Sequence, residues 1–200
     1  MAARLAPRGS FVTIVTRAMR ERIIVVVLCA VSGVACPAVA AHAEGSVMKL
    51  TSSDFQQGGG IPSRYTCDGQ NVSPPLAWED VPAVAKSLAL ISDDPDAPMG
   101  TWVHWVLWNL PPDTRQLGEG FPTGATLPDG AMQGTTDFGR TGYGGPCPPS
   151  GAHRYFFKLY ALDAMLSLKP GSTKAQLEAA MNGHILAQAE LMGTYQRKGR

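Results

Sequence analysis

The hydrophobic and polar positions of residues 44–200 follow the pattern of a β-rich domain. Short apolar runs are separated by turns, and the whole chain has 22 glycines and 16 prolines. Frequent turn residues between short apolar runs are typical of a sandwich or barrel of antiparallel strands. The predicted strands cover residues 47–51, 75–78, 87–92, 102–109 and 154–162.

The segment 102–109 is compatible with a helix as well as a strand, because its tryptophans recur every three residues. The segment is short, lies between Pro98 and Pro111, and is rich in valine and tryptophan, which favours a strand. Strand alternation then predicts one face made of residues 102, 104, 106 and 108, and an opposite face made of residues 103, 105 and 107.

Helical patterns appear only near the C-terminus. Ser172 or Thr173 can cap a short helix that ends near Met181, and Thr173 and Gln176 have the spacing of a capping box. Gly183 interrupts this pattern, and residues 184–192 are predicted as a second short helix.

The first 43 residues have the pattern of a secretory signal peptide. Five arginines precede or adjoin an apolar run at residues 23–34, and the small-residue site Ala-His-Ala follows at 41–43. We therefore predict cleavage before Glu44 and export to the periplasm or the exterior. Met19 would be a more ordinary start than Met1.

Two alternatives to a cleaved leader stay open at this point. The apolar stretch is nearly long enough for an uncleaved membrane anchor, although Ser32, Gly33 and Pro37 weaken that interpretation. A weak lipoprotein-like box before Cys36 is the other alternative.

The charge balance of residues 44–200 limits the partners that are expected. Without the five arginines and the single glutamate of the leader, the chain has 12 basic and 15 acidic side chains, a net charge of −3. A nucleic-acid-binding domain normally has a basic surface, so no nucleic-acid partner is expected. No second apolar run is long enough to span a membrane, and no stable membrane insertion is expected after leader cleavage.

Two segments carry the candidate chemistry. One is DDPDAP at 93–98, which continues into WVHW at 102–105, and the other is GGPCPPSGAHRY at 144–155. Each is a Pro/Gly loop that leads into a strand-like run with a histidine near the junction. Polar side chains on rigid loops beside a scaffold are frequent binding and catalytic groups. If the two segments meet in space, one small polar pocket would contain Asp94, His104, His153 and Tyr155.

These two segments resemble the phosphatidylethanolamine-binding protein family, and more narrowly its bacterial Raf-kinase-inhibitor-like branch. Further similarity lies in YTCDG at 65–69, SPPLAW at 73–78 and GHILAQAEL at 183–191. The resemblance implies a single β-sandwich of antiparallel sheets with short C-terminal helices, and a small anion-binding pocket at its surface. It also implies ligand-binding positions, namely Asp94, Trp102, His104, His153 and Tyr155 in the pocket, with Pro98 and Gly145 at its rim.

The chemistry of these residue types suits a phosphate ester, which accepts several hydrogen bonds. The imidazoles, the phenol and free backbone N–H groups at 142–145 are expected to donate, while Asp94 orients one imidazole and favours its protonated form. Trp102 would form a wall that lowers the water content of the site.

The resulting prediction is a non-enzymatic binding protein for a small phosphate-bearing or other anionic ligand similar to a phospholipid headgroup. The alternatives are an inhibitor of a kinase or protease that acts through its surface, and a hydrolase that uses the same pocket. Neither histidine pair has the close spacing of a zinc motif, so no metal or other cofactor is expected.

Cys67 and Cys147 are the only cysteines of residues 44–200. An even number of cysteines in an exported protein predicts a disulfide, which would connect residues 65–69 to the pocket rim. Two reduced thiols held apart by the fold are the alternative.

Overall fold

The computed structural model describes residues 47–198; the predicted signal peptide at 1–43 lies outside them. The described residues form eight strands, one α-helix and a single 3-10 turn at Ser63–Tyr65. The elements are β1 (Lys49–Thr51), β2 (Leu76–Glu79), β3 (Ser87–Asp94), β4 (Trp102–Leu110), β5 (Gln116–Leu117), β6 (Met132–Gln133), β7 (Ala152–Leu162), α1 (Lys174–Met181) and β8 (Ile185–Gln196).

The strands form two antiparallel sheets. The smaller sheet has the order β1-β2-β5, and the larger has the order β6-β4-β3-β7-β8. Strand β3 is therefore central, with β4 on one side and β7 on the other. All eight residues of β3 are buried, because both faces of the larger sheet are covered.

The core has two parts, one on each face of the larger sheet. On one face the smaller sheet contributes Trp78, which packs in the same cluster as Trp105 and Phe157. On the opposite face, Leu177 and Met181 of α1 complete a second cluster. The prediction of a mainly β sandwich is confirmed.

Strand β8 corrects the prediction of a second helix at 184–192. This segment is rich in residues with high helix propensity, but it pairs along its length with β7. Ala189, Leu191 and Gly193 are buried and the two residues between them are not, which is the period of a strand. Pairing with a long neighbouring strand therefore outweighs the local preference.

The first predicted helix, which ends near Met181, is confirmed. Thr173 caps α1, accepting a hydrogen bond from the backbone N–H of Gln176, whose side chain accepts from the Thr173 N–H in return. Within the part of the chain that the structure describes, no helix has the length and apolar character needed to cross a membrane.

A β-bulge in β4 corrects the predicted strand faces. Ser92 pairs with Trp105 and Asp93 pairs with Val103, so His104 is an extra residue between them. Val103 consequently packs in the same cluster as Val106 and Trp108, not with Trp105 and Leu107. His104 is turned to the side of the sheet that carries Tyr155.

Candidate functional site

The two loop segments singled out in the sequence meet at one end of the larger sheet. Strand β3 ends at Asp94, which pairs with Trp102 at the start of β4, and Asp93 pairs with Phe156 near the start of β7. Antiparallel pairing therefore brings the loops at 95–101 and 144–151 to the same end of the larger sheet. Between them lies a cleft of about 470 Å³, hereafter the cleft.

Asp94 and His153 form a buried pair that lines the cleft. The Nδ1–H of His153 donates to Oδ2 of Asp94 over 2.7 Å. The other carboxylate oxygen accepts from the backbone N–H of Asp96 over 2.8 Å. Asp94 thus orients one imidazole, as predicted, and also shapes the loop that follows β3.

His104 lines the cleft from the bulge in β4. Its Nδ1–H donates to the backbone carbonyl of Gly144 over 2.6 Å, which leaves Nε2 for other contacts. Burial lowers the pKa of His104, although the Gly144 carbonyl and the carboxylates of Asp94, Asp93 and Asp137 act in the opposite direction. The ring is therefore neutral at pH 7, whereas the sequence suggested a donor to phosphate.

Tyr155 packs against the two histidines but is not among the residues that line the cleft. Its ring meets that of His104 edge-on at 5.2 Å and stacks on that of His153 at 6.5 Å. Its hydroxyl is buried and has no hydrogen-bond partner of good geometry among the described residues. Burial, followed by the nearby Asp94 carboxylate, raises the pKa of Tyr155, so the phenol is a neutral donor.

The outer part of the cleft is apolar. Trp102 and Pro98 line it as the sequence suggested, and Met99 at its mouth is almost fully exposed. Pro148 and Pro149 line the cleft from the other loop. The cleft therefore combines polar groups with an apolar wall.

Phe138 is a cleft residue that sequence reasoning missed. Its ring packs edge-on against Trp102 at 5.6 Å and against His104 at 5.3 Å. It comes from the loop between β6 and β7, a polar and Gly-rich segment in which Phe138 and Tyr143 are the two large aromatic side chains. Asp137 holds this loop to β4 by accepting from the Val103 N–H over 2.7 Å.

Two glycines of the segment 142–145, which was expected to donate backbone hydrogen bonds to a ligand, have structural roles instead. The N–H of Gly144 donates to the His104 carbonyl and that of Gly145 donates to the Asn71 side chain, so neither N–H is free. Gly145 is not among the residues that line the cleft. A Cβ at this position would lie 2.2 Å from the Tyr65 carbonyl oxygen, which explains the need for glycine.

An exposed ion pair fixes the loop that carries Pro98 and Met99. Arg154 donates to both carboxylate oxygens of Asp96, at 2.9 Å and 2.6 Å, and its backbone N–H adds a third hydrogen bond. The side-chain hydrogen bond is the main cause that lowers the pKa of Asp96 to about 2. The start of β7 thereby holds the loop after β3 in place.

The disulfide joins Cys67 to Cys147, and Cys147 itself lines the cleft. The same two segments are also connected by a hydrogen bond from the Cys67 N–H to the Pro146 carbonyl, and by one from the Tyr143 hydroxyl to the Tyr65 carbonyl. One wall of the cleft is therefore attached to the loop at 65–69 by several independent contacts.

No group of three or more His, Cys, Asp or Glu side chains within residues 47–198 is arranged to hold a metal ion.

Comparison with known proteins identifies similar chains. The family model described as phosphatidylethanolamine-binding protein matches residues 51–196. A UPF0098 protein of Methanothermobacter thermautotrophicus is 58% identical over 150 residues, which cover 75% of this chain and 99% of the relative. A UPF0098 protein of Aquifex aeolicus is 52% identical over 158 residues, which cover 78% and 92% respectively.

Solved structures show the same similarity. A Chlamydia trachomatis protein described as a homologue of phosphatidylethanolamine-binding protein superposes with a TM-score of 0.70 at 48% identity, covering 76% of this chain and 99% of its own. Escherichia coli YbcL, described as a new member of the mammalian family, gives a TM-score of 0.71 at 34% identity, covering 76% and 100%.

Proposed function

The chain belongs to the phosphatidylethanolamine-binding protein family, and on this premise we propose that it is a non-enzymatic binding protein for a phosphate-bearing ligand with an adjoining apolar group. One observation carries the proposal. Polar groups of Asp94, His104 and His153 line a cleft whose other walls include Trp102, Phe138 and prolines.

The polar groups suit a phosphate ester. Asp94 holds the Nδ1–H of His153, so Nε2 is the atom of this ring that a phosphate group can contact. The apolar wall would contact the alcohol part of the ester.

Calorimetric titration of the full-length protein with phosphoethanolamine tests the proposal. We expect saturable binding that weakens as pH is raised from 5.5 to 7.5. The contact between Nε2 of His104 and a phosphate oxygen requires one proton between them, and this proton is lost as pH rises. His104→Ala or His153→Ala should weaken binding by more than tenfold. A lost charge-assisted hydrogen bond corresponds to about 1.5–3 kcal/mol, and about 1.4 kcal/mol is tenfold.

His184→Ala is the matched control. His184 is exposed, pairs with Asp163 at 2.7 Å and does not line the cleft, so binding should be unchanged. Equal effects at the three histidines, or no binding at all, would contradict the proposal and would favour the alternative of a protein inhibitor. Ester turnover that is lost in His153→Ala would favour a hydrolase instead.

A further inference from the structure

The direction of the hydrogen bonds at the two imidazoles determines what they present to a ligand. The Gly144 carbonyl can only accept, so Nδ1 of His104 carries a hydrogen. The Asp94 carboxylate accepts from Nδ1 of His153 in the same way. Each imidazole therefore has only its Nε2 atom left for contact with a ligand.

Both Nε2 atoms are accessible to a ligand. Neither has a hydrogen-bond partner among residues 47–198, and neither belongs to the buried polar atoms without a partner, which are Trp108 Nε1 and Tyr155 Oη. A neutral imidazole whose Nδ1 carries the hydrogen has a lone pair at Nε2. His104 is such an acceptor in its neutral form, which burial among apolar and aromatic neighbours favours by lowering its pKa.

Cationic groups that could bind an anion are scarce at the cleft. None of the side chains that line it in the described part of the chain is a lysine or arginine, and the carboxylate of Asp94 is present. The nearby guanidinium of Arg140 lies over the Phe138 ring, and that of Arg154 pairs with Asp96. The N–H groups of Gly144 and Gly145 are already used within the protein.

We infer that the cleft selects phosphate monoesters in their singly protonated form, whose P–O–H group donates to the accessible Nε2 atom of His104. This inference rests on the proposed function and specifies its ligand class. A phosphate diester or a sulfate ester has the same net charge of −1 at mildly acidic pH, but it has no proton to donate.

The difference between these ligands arises at His104. A monoester with a second pKa near 6 brings its own proton at mildly acidic pH. A sulfate ester can form a hydrogen bond with the same ring only if His104 takes a proton from water, which burial disfavours. The carboxylates of Asp93, Asp94 and Asp137 reduce this cost without removing it, and the other groups that line the cleft meet all three ligands alike.

Titration calorimetry at pH 5.5 with the full-length protein tests the inference with three probes: phenyl phosphate, phenyl sulfate and methyl phenyl phosphate. All three carry the same aromatic group and one negative charge. We expect phenyl phosphate to bind at least tenfold more tightly than either of the others, which corresponds to about 1.4 kcal/mol. This comparison uses the wild-type protein and does not depend on a variant that folds poorly.

The variant His104→Asn isolates the responsible group. An asparagine amide can still donate to the Gly144 carbonyl but has no counterpart of Nε2, so the preference for phenyl phosphate should fall below threefold. His184→Asn is the control and should keep the full preference. Equal affinities for the three probes in the wild-type protein, or an unchanged preference in His104→Asn, would overturn the inference and leave the proposed function standing. Failure of all three to bind would overturn both.

Discussion

His104 illustrates how a single residue is adapted to this site. It is the extra residue of a bulge, its Nδ1–H is bonded to a carbonyl, and its ring lies between Phe138 and Tyr155. These contacts favour a neutral ring and direct its remaining nitrogen to a ligand. The same burial makes His104 a source of pH-dependent stability.

We predict that protonation of His104 destabilises the protein below pH 6.5. Its pKa in the folded state is lower than the value of 6.5 expected for an unfolded chain. The unfolded state therefore binds more protons between these two pKa values, and the free energy of unfolding falls as pH falls through this window. Urea denaturation at several pH values measures this effect. Between pH 6.5 and 5, the free energy of unfolding should fall less steeply with pH in His104→Asn than in the wild type.

The comparison is between His104→Asn and the wild type, which share every other titratable group. The Asp96–Arg154 pair does not interfere. Because the pKa of Asp96 is lowered from 3.8 to about 2, the stability that this pair contributes is lost only as pH falls below 3.8. Identical slopes for His104→Asn and the wild type would refute the prediction.

At the scale of elements, the loop between β6 and β7 forms one wall of the cleft. It brings Phe138 against His104 and is held to β4 by the hydrogen bonds of Asp137 with Val103. Gly144 allows this arrangement, because a Cβ there would lie 2.4 Å from Cδ2 of the Phe138 ring. The position of the aromatic wall thus depends on a glycine that lies outside the cleft.

We predict that Gly144→Ala displaces the Phe138 ring and weakens phenyl phosphate binding by about three- to tenfold, the equivalent of about 0.7–1.4 kcal/mol. The half-exposed ring can move outward, so the loss in thermal stability should be small relative to the usual cost of overpacking, about 1–3 kcal/mol. Calorimetry and thermal denaturation measure the two effects.

Gly118→Ala is the matched control for this variant. A Cβ at Gly118 would meet no atom within 4 Å, and the same measurements should give wild-type values. Wild-type binding by Gly144→Ala would show that the aromatic wall does not contribute to affinity.

For the whole molecule, the disulfide spans 80 residues of sequence and connects the loop at 65–69 to the cleft. We predict that the double variant Cys67→Ser/Cys147→Ser is less stable by up to about 4–5 kcal/mol, since a closed loop of this length restricts the unfolded chain. Ligand affinity should change by less than threefold, because hydrogen bonds still join the same segments.

Urea denaturation of the oxidised protein, the reduced protein and the double variant tests this expectation. The reduced protein should match the double variant. Equal stability of all three samples would contradict it, and so would a loss of binding larger than the loss of stability.

Export is also a proposal about the whole molecule, supported by the basic, apolar and small-residue pattern of positions 1–43. We predict that protein recovered from the native cell has Glu44 as its N-terminal residue. N-terminal sequencing and intact mass measure this directly, and an intact leader or a lipid on Cys36 would refute it.

Much of the architecture was predictable because its signals are local. Turn residues between short apolar runs indicated a β-sandwich, and the spacing of Thr173 and Gln176 indicated the cap of α1. The same local reasoning failed at 184–192, where strong helix formers adopt a strand because β7 supplies a partner along their length.

The candidate site divides in the same way. The sequence by itself determined that Asp94, His104 and His153 lie at loop-to-strand junctions, since proline, glycine and strand-forming residues act locally. Only the tertiary structure decided what those groups can do. The position of β3 between β4 and β7 brings the junctions together, the bulge turns His104 towards Tyr155, and Phe138 comes from a distant loop. Hydrogen-bond direction and burial, which depend on such long-range contacts, make His104 an acceptor where the sequence suggested a donor.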